Sequence, residues 1–216
     1  MKTISGVEVI IWDVDGTLFA PSEAMGHAVV ESAYRTIQEY KGWPREKAIE
    51  EFRKVHDKVT PSQTEAVAII CDIPTLEAAR KTDYYFDRKK FVTRDEKLIT
   101  LFEELSGFRH FILGNGAQQY IKEGIIALGL DPKIFTQIVT SEVVGVNKPS
   151  ENGFRYILDA TGLPAPVHLM IGDREKVDLV PARDLGMKTC LVWANKPSMV
   201  ADVTIPTVYE LTQILV

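Results

Sequence analysis

The sequence predicts an α/β fold with a doubly wound parallel sheet and a helical insertion after the first strand. From residue 108 onward, short apolar runs of strand length alternate with helix-length segments, a pattern typical of a parallel sheet with helices on both faces. Between the first strand and residue 94, apolar residues recur only at the helical spacing. We therefore predict a core formed by residues 1–19 and 94–216, interrupted by a helical insertion at residues 20–93.

The first strand is predicted at residues 7–13, where a β-branched apolar run leads into acidic residues and then Gly16. The first helix of the insertion is predicted to end near Gly42, because the apolar residues before it step by four: Met25, Val29, Ala33 and Ile37. Further helices are predicted after Pro44 and at about 62–71, 75–90 and 95–106. The segment between the first strand and residue 94 is thus expected to contain helices only.

The remaining elements alternate in kind along the chain. The predicted strands are the runs FRHFIL, IFTQIVT, VHLMI and MKTCLVW. The predicted helices cover 117–128, 150–161, a segment that ends at Gly186 and a last segment from about residue 207. Each strand with its following helix forms a βα unit, and right-handed connections between such units build an open parallel sheet.

Composition limits the class of protein. The chain has 216 residues, 45% of them hydrophobic, which is enough to form a buried core. A formal charge of −5 without a basic run disfavours a nucleic-acid polymer as partner. The two cysteines, Cys71 and Cys190, are far apart and predict neither a disulfide framework nor a zinc site. The cysteine pattern fits a reducing cytoplasm, and because no apolar run reaches the roughly 18 residues of a membrane span, no membrane partner is expected.

Polar residues follow the predicted strands at the points where each strand ends. These residues are Asp13, Asp15, Gly16 and Thr17 after the first strand, then Gly114, Asn115, Lys148, Asp173 and Asp178 after the later ones. Ligands of doubly wound sheets bind outside the carboxyl ends of the strands, so we expect these residues to converge there. Clustered carboxylates repel one another unless a cation lies among them, and an all-oxygen set suits Mg²⁺.

These segments resemble the four motifs of the haloacid dehalogenase-like (HAD) hydrolase superfamily. WDVDGTL is similar to the first motif, ILGNG stands where the second lies, VGVNKP supplies the motif lysine, and IGDREKVD is similar to the fourth. The four segments occur in the order of the family and cover the whole core. The resemblance therefore implies a Rossmann-like HAD core with an inserted α-helical cap at residues 20–93, although that stretch carries no motif of its own.

The resemblance also implies a Mg²⁺-dependent phosphatase that hydrolyses a small phosphorylated metabolite through an aspartyl-phosphate. Asp13 would be the nucleophile, Asp15 the general acid and base, and Lys148 the catalytic cation. The residues implied to bind phosphate are Gly16, Gly114, Asn115 and Lys148. The residues implied to bind the metal are Asp13, Asp15 through its backbone carbonyl, and Asp173. Asp178 is also assigned to the metal site, where it would hold the direct ligands in position.

Other functions stay open at this point. A phosphomutase shares all four motifs, and a catalytically weakened binding or scaffold protein is a second alternative. The family usually has Ser or Thr where Gly114 stands, and loss of one donor to a reacting oxygen lowers rates by about 10² to 10³. A dehalogenase of the superfamily needs neither the metal nor the second aspartate, so Asp15 and Asp173 favour phosphorus chemistry.

Some residues also have a purely structural interpretation. Asp178 and Asn115 could each cap a following helix. The histidines are scattered singly and are predicted to be structural or surface residues: His27, His56, His110 and His168. GNGAQQ lacks the third glycine of a dinucleotide fingerprint, so nicotinamide binding is not predicted. The polar stretch at residues 60–64 is a candidate loop for substrate selection.

Overall fold

The computed structural model describes residues 2–58 and 62–216 and contains one sheet of six parallel strands. The order of the strands is β3-β2-β1-β4-β5-β6. Their bounds are β1 (Val9–Trp12), β2 (Arg109–Leu113), β3 (Phe135–Val139), β4 (His168–Gly172), β5 (Lys188–Leu191) and β6 (Val203–Thr204). Because the order runs outward from β1 in both directions, the predicted doubly wound parallel sheet is confirmed.

The helices follow the predicted positions with a few differences. The region between β1 and β2 contains α1 (Glu23–Lys41), α2 (Arg45–His56), α3 (Gln63–Cys71), α4 (Thr75–Tyr85) and α5 (Glu96–Glu104). The later helices are α6 (Gln118–Ala127), α7 (Ser141–Val144), α8 (Asn152–Thr161) and α9 (Val180–Asp184). The predicted helix at 75–90 ends at Tyr85, and the predicted last helix is a 3₁₀ segment, Val208–Gln213. None of the helices in the described ranges is long and apolar enough to span a membrane.

Both faces of the sheet are buried, which explains the continuous apolar run in β1. Ile10 and Trp12 belong to the cluster on one face, which α5 and α6 complete. Val9 and Ile11 belong to the cluster on the other face, which includes Phe154 of α8. Side chains alternate between the faces of a strand, so a strand covered on both sides has no polar position.

Helices α1–α4, which we call the helical insertion, have a hydrophobic cluster of their own. Ala33 and Ile37 of α1 pack there with Phe52 of α2 and Val67 of α3. Gly42 ends α1 with a φ of 64°, a left-handed conformation that glycine adopts without strain. Of the polar stretch at residues 60–64, residues 60 and 61 lie outside the described residues, and Ser62 caps α3.

His110 is part of the core rather than a ligand. The Trp12 indole donates to His110 Nδ1 at 3.1 Å, and His110 Nε2 lies 3.0 Å from the carbonyl oxygen of Leu105. Since Nδ1 accepts a hydrogen bond, Nε2 carries the proton and the ring is neutral. Burial lowers the pKa of His110, although the bond to Leu105 acts in the opposite direction. His168 is also buried, with a lowered pKa, so the structural interpretation is confirmed for both residues.

We expect the free energy of unfolding to fall as the pH decreases below 6.5, in part because of His110. The unfolded chain takes up a proton near that pH, whereas folded His110 does so only at a lower pH. The stabilisation is therefore complete above 6.5 and is lost as the pH falls toward the folded pKa.

Urea unfolding at about pH 7.5 and about pH 5.5 measures this dependence. His110→Gln should lower stability at both pH values and reduce the difference between them. The control is His27→Gln, at an exposed position, which should keep the wild-type difference. A full wild-type difference in the His110→Gln protein would contradict the prediction.

Candidate active site

Three of the predicted acidic side chains meet at the carboxyl edge of the sheet. Asp13 follows β1, and Asp173 and Asp178 follow β4. One carboxylate oxygen from each lies within 4.8 Å of the others. The cause is the topology, because β1 and β4 pair in parallel with Trp12 opposite Ile171 and so end side by side.

Lys148 lies between two of these carboxylates. Its Nζ is 2.7 Å from Oδ1 of Asp13 and 2.6 Å from Oδ1 of Asp178, and the residue is only 3% exposed. Asn115 fixes the lysine backbone with two hydrogen bonds, one from the Lys148 amide at 2.7 Å and one to the Lys148 carbonyl at 2.9 Å. Asn115 therefore positions the lysine loop instead of capping α6.

Asp178 uses both of its carboxylate oxygens within the protein. Oδ1 accepts from Lys148 Nζ, and Oδ2 accepts from the backbone amide of Arg174 at 3.2 Å. Neither bond caps a following helix, because the Arg174 amide precedes Asp178 in the chain and α9 begins after Leu179 with no side-chain cap. The capping interpretation of Asp178 is therefore wrong, and its side chain contacts Lys148 instead.

Burial and charge give the carboxyl groups of the cluster different proton affinities. Burial alone would raise the pKa of Asp13, but the charges of Lys148 and Arg174 outweigh it and hold the pKa below 3.8. Burial raises the pKa of Asp173 to about 7, and the charges of Asp13 and Asp178 act in the same direction. Asp13 therefore ionises more readily than Asp173, where burial and the charges of Asp13 and Asp178 outweigh the attraction of Arg174 and Lys148.

The cluster has the properties of a site for a divalent cation. All its donors are oxygens, and Oδ1 of Asp173 is buried without a hydrogen-bond partner among the described residues. Gly16 has a φ of 84°, and a Cβ there would lie 2.7 Å from Oδ2 of Asp173. Glycine therefore permits both the turn after β1 and the close approach of Asp173. Among the residues present, the three acids, with one unpartnered oxygen, fit a bound Mg²⁺.

Asp15 lies apart from the acidic cluster and pairs with an arginine that no sequence motif marks. Arg88 Nε is 2.9 Å from both carboxylate oxygens of Asp15, and Arg88 Nη2 is 2.7 Å from Oδ2. Arg88 is buried and also pairs with Asp83 of α4 at 3.2 Å. Asp83 in turn accepts a hydrogen bond from the amide of Ala117 at 2.6 Å. This chain of contacts joins the helical insertion to Asp15.

A cavity of about 420 Å³ lies between this edge of the sheet and the helical insertion. Its lining at the sheet edge includes Asp15, Gly16, Asn115, Asp173 and Arg174. The insertion contributes the opposite wall, which includes Met25, Val29, Ala33, His56, Gln63, Ala79 and Phe86. Asp13 and Lys148 are buried beside this lining, within the cluster that contains Asp173. His56, predicted to be a structural or surface residue, lies in the wall of this cavity.

Gly114 has a packing role in the structure. Its amide donates to the carbonyl of Val139 at 3.0 Å, and a Cβ at this position would lie 2.6 Å from Cδ1 of Ile121. Ser or Thr would therefore require Ile121 of α6 to move. Gly114 is also absent from the cavity lining as the described residues form it. The packing of α6 thus accounts for the glycine, and the predicted phosphate contact has no counterpart in this geometry.

Comparison with known sequences identifies a family match and two partial relatives. Residues 7–186 match the model of the haloacid dehalogenase-like hydrolase family. The chain is 36% identical over 98 residues to the glyceraldehyde 3-phosphate phosphatase of Methanocaldococcus jannaschii, a match that covers 43% of this chain and 42% of that protein. It is 35% identical over 88 residues to the pyrimidine 5′-nucleotidase YjjG of Escherichia coli, covering 38% of each. The matches thus span about four tenths of these relatives.

Solved structures resemble the chain over nearly its whole length. A HAD phosphatase from Thermococcus onnurineus has a TM-score of 0.69 at 21% identity, with 96% of this chain and 97% of that one covered. The magnesium-bound HAD hydrolase YfnB from Bacillus subtilis has a TM-score of 0.61 at 19% identity, with 96% and 98% covered. The L-2-haloacid dehalogenase of Xanthobacter autotrophicus has a TM-score of 0.60 at 15% identity, with 96% and 97% covered. These similarities establish the shared fold.

We expect Arg88→Met to lower the free energy of unfolding by about 3–5 kcal/mol, because Asp83 would remain buried without its cation. The control is Arg80→Met, since Arg80 is also an arginine that contacts an acid of the core but is 61% exposed. Loss of its pair with Glu142 should cost at most about 1 kcal/mol. Equal losses in the two variants, measured by chemical denaturation, would contradict the prediction.

Proposed function

Since the chain belongs to the haloacid dehalogenase-like hydrolase family, we propose that it is a Mg²⁺-dependent phosphatase. It would hydrolyse a small phosphate monoester through an aspartyl-phosphate. The observation that carries this proposal is the buried pair of Asp13 and Lys148 beside an Asp173 oxygen that has no partner among the described residues. The relatives named as a phosphatase and a nucleotidase support the same class of reaction.

Asp13 has the properties required of the nucleophile. Its carboxylate is ionised, because Lys148 and Arg174 hold its pKa low. Lys148 binds Oδ1, and the Thr17 hydroxyl donates to Oδ2 at 3.2 Å, so the side chain is held in one orientation. An oxygen of Asp13 would form a bond to phosphorus while the bond from phosphorus to the ester oxygen breaks. Water would then release phosphate from the acyl group.

Asp15 would transfer the protons in both steps. In the first step it would protonate the departing ester oxygen, and in the second it would accept a proton from the attacking water. Asp15 lines the cavity, but Arg88 contacts both of its carboxylate oxygens. A leaving-group oxygen must therefore take the place of Arg88 on one of them before the proton can move.

The remaining residues would stabilise charge on the transferring group. The Lys148 ammonium group provides a positive charge beside Asp13. Asn115 binds the Lys148 backbone and so holds that side chain in place. Asp13, the backbone carbonyl of Asp15, and Asp173 would hold Mg²⁺. When bound, the ion supplies positive charge that offsets the phosphoryl oxygens. Asp178 would hold Lys148 in place through Oδ1, while its Oδ2 accepts from the Arg174 amide.

We expect Asp13→Asn to abolish turnover of p-nitrophenyl phosphate, because an amide cannot replace the carboxylate as nucleophile. Loss of a nucleophile lowers kcat by about 10⁴-fold or more. A hydroxylamine-sensitive phosphoryl adduct should form on the wild-type protein and be absent from the variant. Asp184→Asn, at a half-exposed position outside the site, is the control and should retain activity. An adduct that still forms on the Asp13→Asn protein would refute the assignment.

We expect Asp173→Asn to raise the Mg²⁺ concentration for half-maximal activity by about 10-fold or more, because it removes a charged oxygen ligand. Titration of activity with Mg²⁺ measures the effect, and circular dichroism checks that the fold is retained. The Asp184→Asn protein should follow the wild-type curve. Undiminished activity of the wild-type protein in excess chelator would show that no metal takes part.

A further inference from the structure

The cavity is larger than the acidic cluster alone requires. It extends from Asp15 and Asp173 to helices α1, α3 and α4, with a volume of about 420 Å³. Pockets of about 300–1,000 Å³ typically enclose drug-sized ligands. The phosphoryl group must lie at the sheet edge, next to Asp13, so the space toward the insertion is left for the leaving group. A three-carbon leaving group would leave much of that space unfilled.

The wall on the side of the insertion is mostly apolar. Met25, Val29 and Ala33 of α1 line it, together with Ala79 of α4 and Phe86. At Gly26, which also lines the cavity, an added Cβ would meet no atom within 4 Å. An apolar wall favours a ligand with an apolar face, because burial removes both surfaces from water.

The positive charges of the lining are already paired. Arg88 contacts Asp15 and Asp83, and Arg174 lies 3.8 Å from Asp173 at the phosphoryl end. No other lysine or arginine lines the cavity among the described residues, and residues 59–61, Val-Thr-Pro, contain no charged side chain. A second anionic group on the leaving group would therefore find no unpaired lysine or arginine and would face the carboxylates of Asp15 and Asp83. Among the described residues, His56 is the other side chain of the lining that can carry a positive charge.

One polar side chain of the insertion wall is available to a ligand. Oε1 of Gln63 is buried and has no hydrogen-bond partner in the described part of the chain. Neighbouring hydroxyl groups already have partners in their own helices. Ser32 donates to the Val29 carbonyl at 2.7 Å, Thr82 donates to the Ala78 carbonyl at 2.9 Å, and Ser62 Oγ accepts from the Glu65 amide at 3.2 Å. The Gln63 oxygen can accept a hydrogen bond from an O–H or N–H group of a bound molecule.

From these observations we propose that the site selects phosphate monoesters whose leaving group is uncharged, has an apolar face and is larger than three carbons, as in a nucleoside monophosphate. This inference rests on the proposed phosphatase function and specifies its substrate class. The phosphoryl group would occupy the sheet edge, the leaving group would pack on α1 and Phe86, and a donor on it would reach Gln63.

Two matched pairs of substrates test the inference by kcat/KM in the presence of Mg²⁺. Glycerol 1-phosphate and 3-phosphoglycerate differ by a carboxylate, and we expect the charged ester to be at least about 10-fold poorer. Ribose 5-phosphate and uridine 5′-monophosphate differ by the planar base, and we expect the nucleotide to be at least about 10-fold better. Equal or reversed preferences in either pair would overturn the inference.

A cavity-filling variant tests where the selection arises. Gly26→Leu would place a side chain in the open space of the wall, so the preference for uridine 5′-monophosphate over ribose 5-phosphate should fall at least about 10-fold. Gly107→Leu is the matched control, because Gly107 is exposed, lies outside the cavity lining and also has no atom within 4 Å of an added Cβ. An unchanged preference in the Gly26→Leu protein would overturn the inference.

Failure of the proposed phosphatase function would be a separate result, seen as no Mg²⁺-dependent turnover of any of the four esters. Calorimetry on the Asp13→Asn protein then decides the inference without catalysis. Uridine 5′-monophosphate should bind more tightly than ribose 5-phosphate, and adding Gly26→Leu should remove that difference. Equal binding of the two esters to the Asp13→Asn protein would overturn the inference.

Discussion

The buried ion pairs of Lys148 are the interaction on which the rest of the site depends. Lys148 is joined to Asp13 and to Asp178, residues that follow two different strands of the sheet. A charged group this deeply buried is costly unless opposite charges lie within hydrogen-bond distance. The positions of the two strand ends and of the lysine loop are therefore interdependent. This dependence explains why Asn115 binds both backbone groups of Lys148, since a shift of the loop would leave three charges unpaired.

A second buried network connects the helical insertion to the core. Asp83 is bonded to the Ala117 amide at the first turn of α6, and Arg88 connects Asp83 to Asp15. Ala117 has no side chain that could cap α6, so Asp83 and Glu142 accept hydrogen bonds from the first amides instead. One set of contacts thus completes a helix end, fixes the insertion and orients the side chain proposed to move protons.

The sequence was most informative where local pattern and topology agree. β-branched runs identified five of the six strands, and acids at strand ends predicted the cluster of Asp13, Asp173 and Asp178. The two-residue strand β6 and the four-residue helix α7 are too short to show a period. Arg88 and Asp83 escaped prediction for another reason. Their partners are distant in sequence, and a lone charged residue in a helical segment has the same pattern whether it is exposed or buried.

Gly114 shows how a motif and its packing can lead to different conclusions. Compared with the family motif, the glycine indicates a missing hydroxyl and weakened catalysis. In the structure, the same position is opposite Ile121, and α6 packs where a side chain would stand. A side chain at position 114 would therefore require the side chain at position 121, which lies outside the motif, to move. Ile121 lies one turn from the Ala117 amide that binds Asp83, but the two residues make separate contacts. The departure from the motif therefore concerns a contact within the core, between the residue after β2 and α6, while Lys148 remains paired with Asp13.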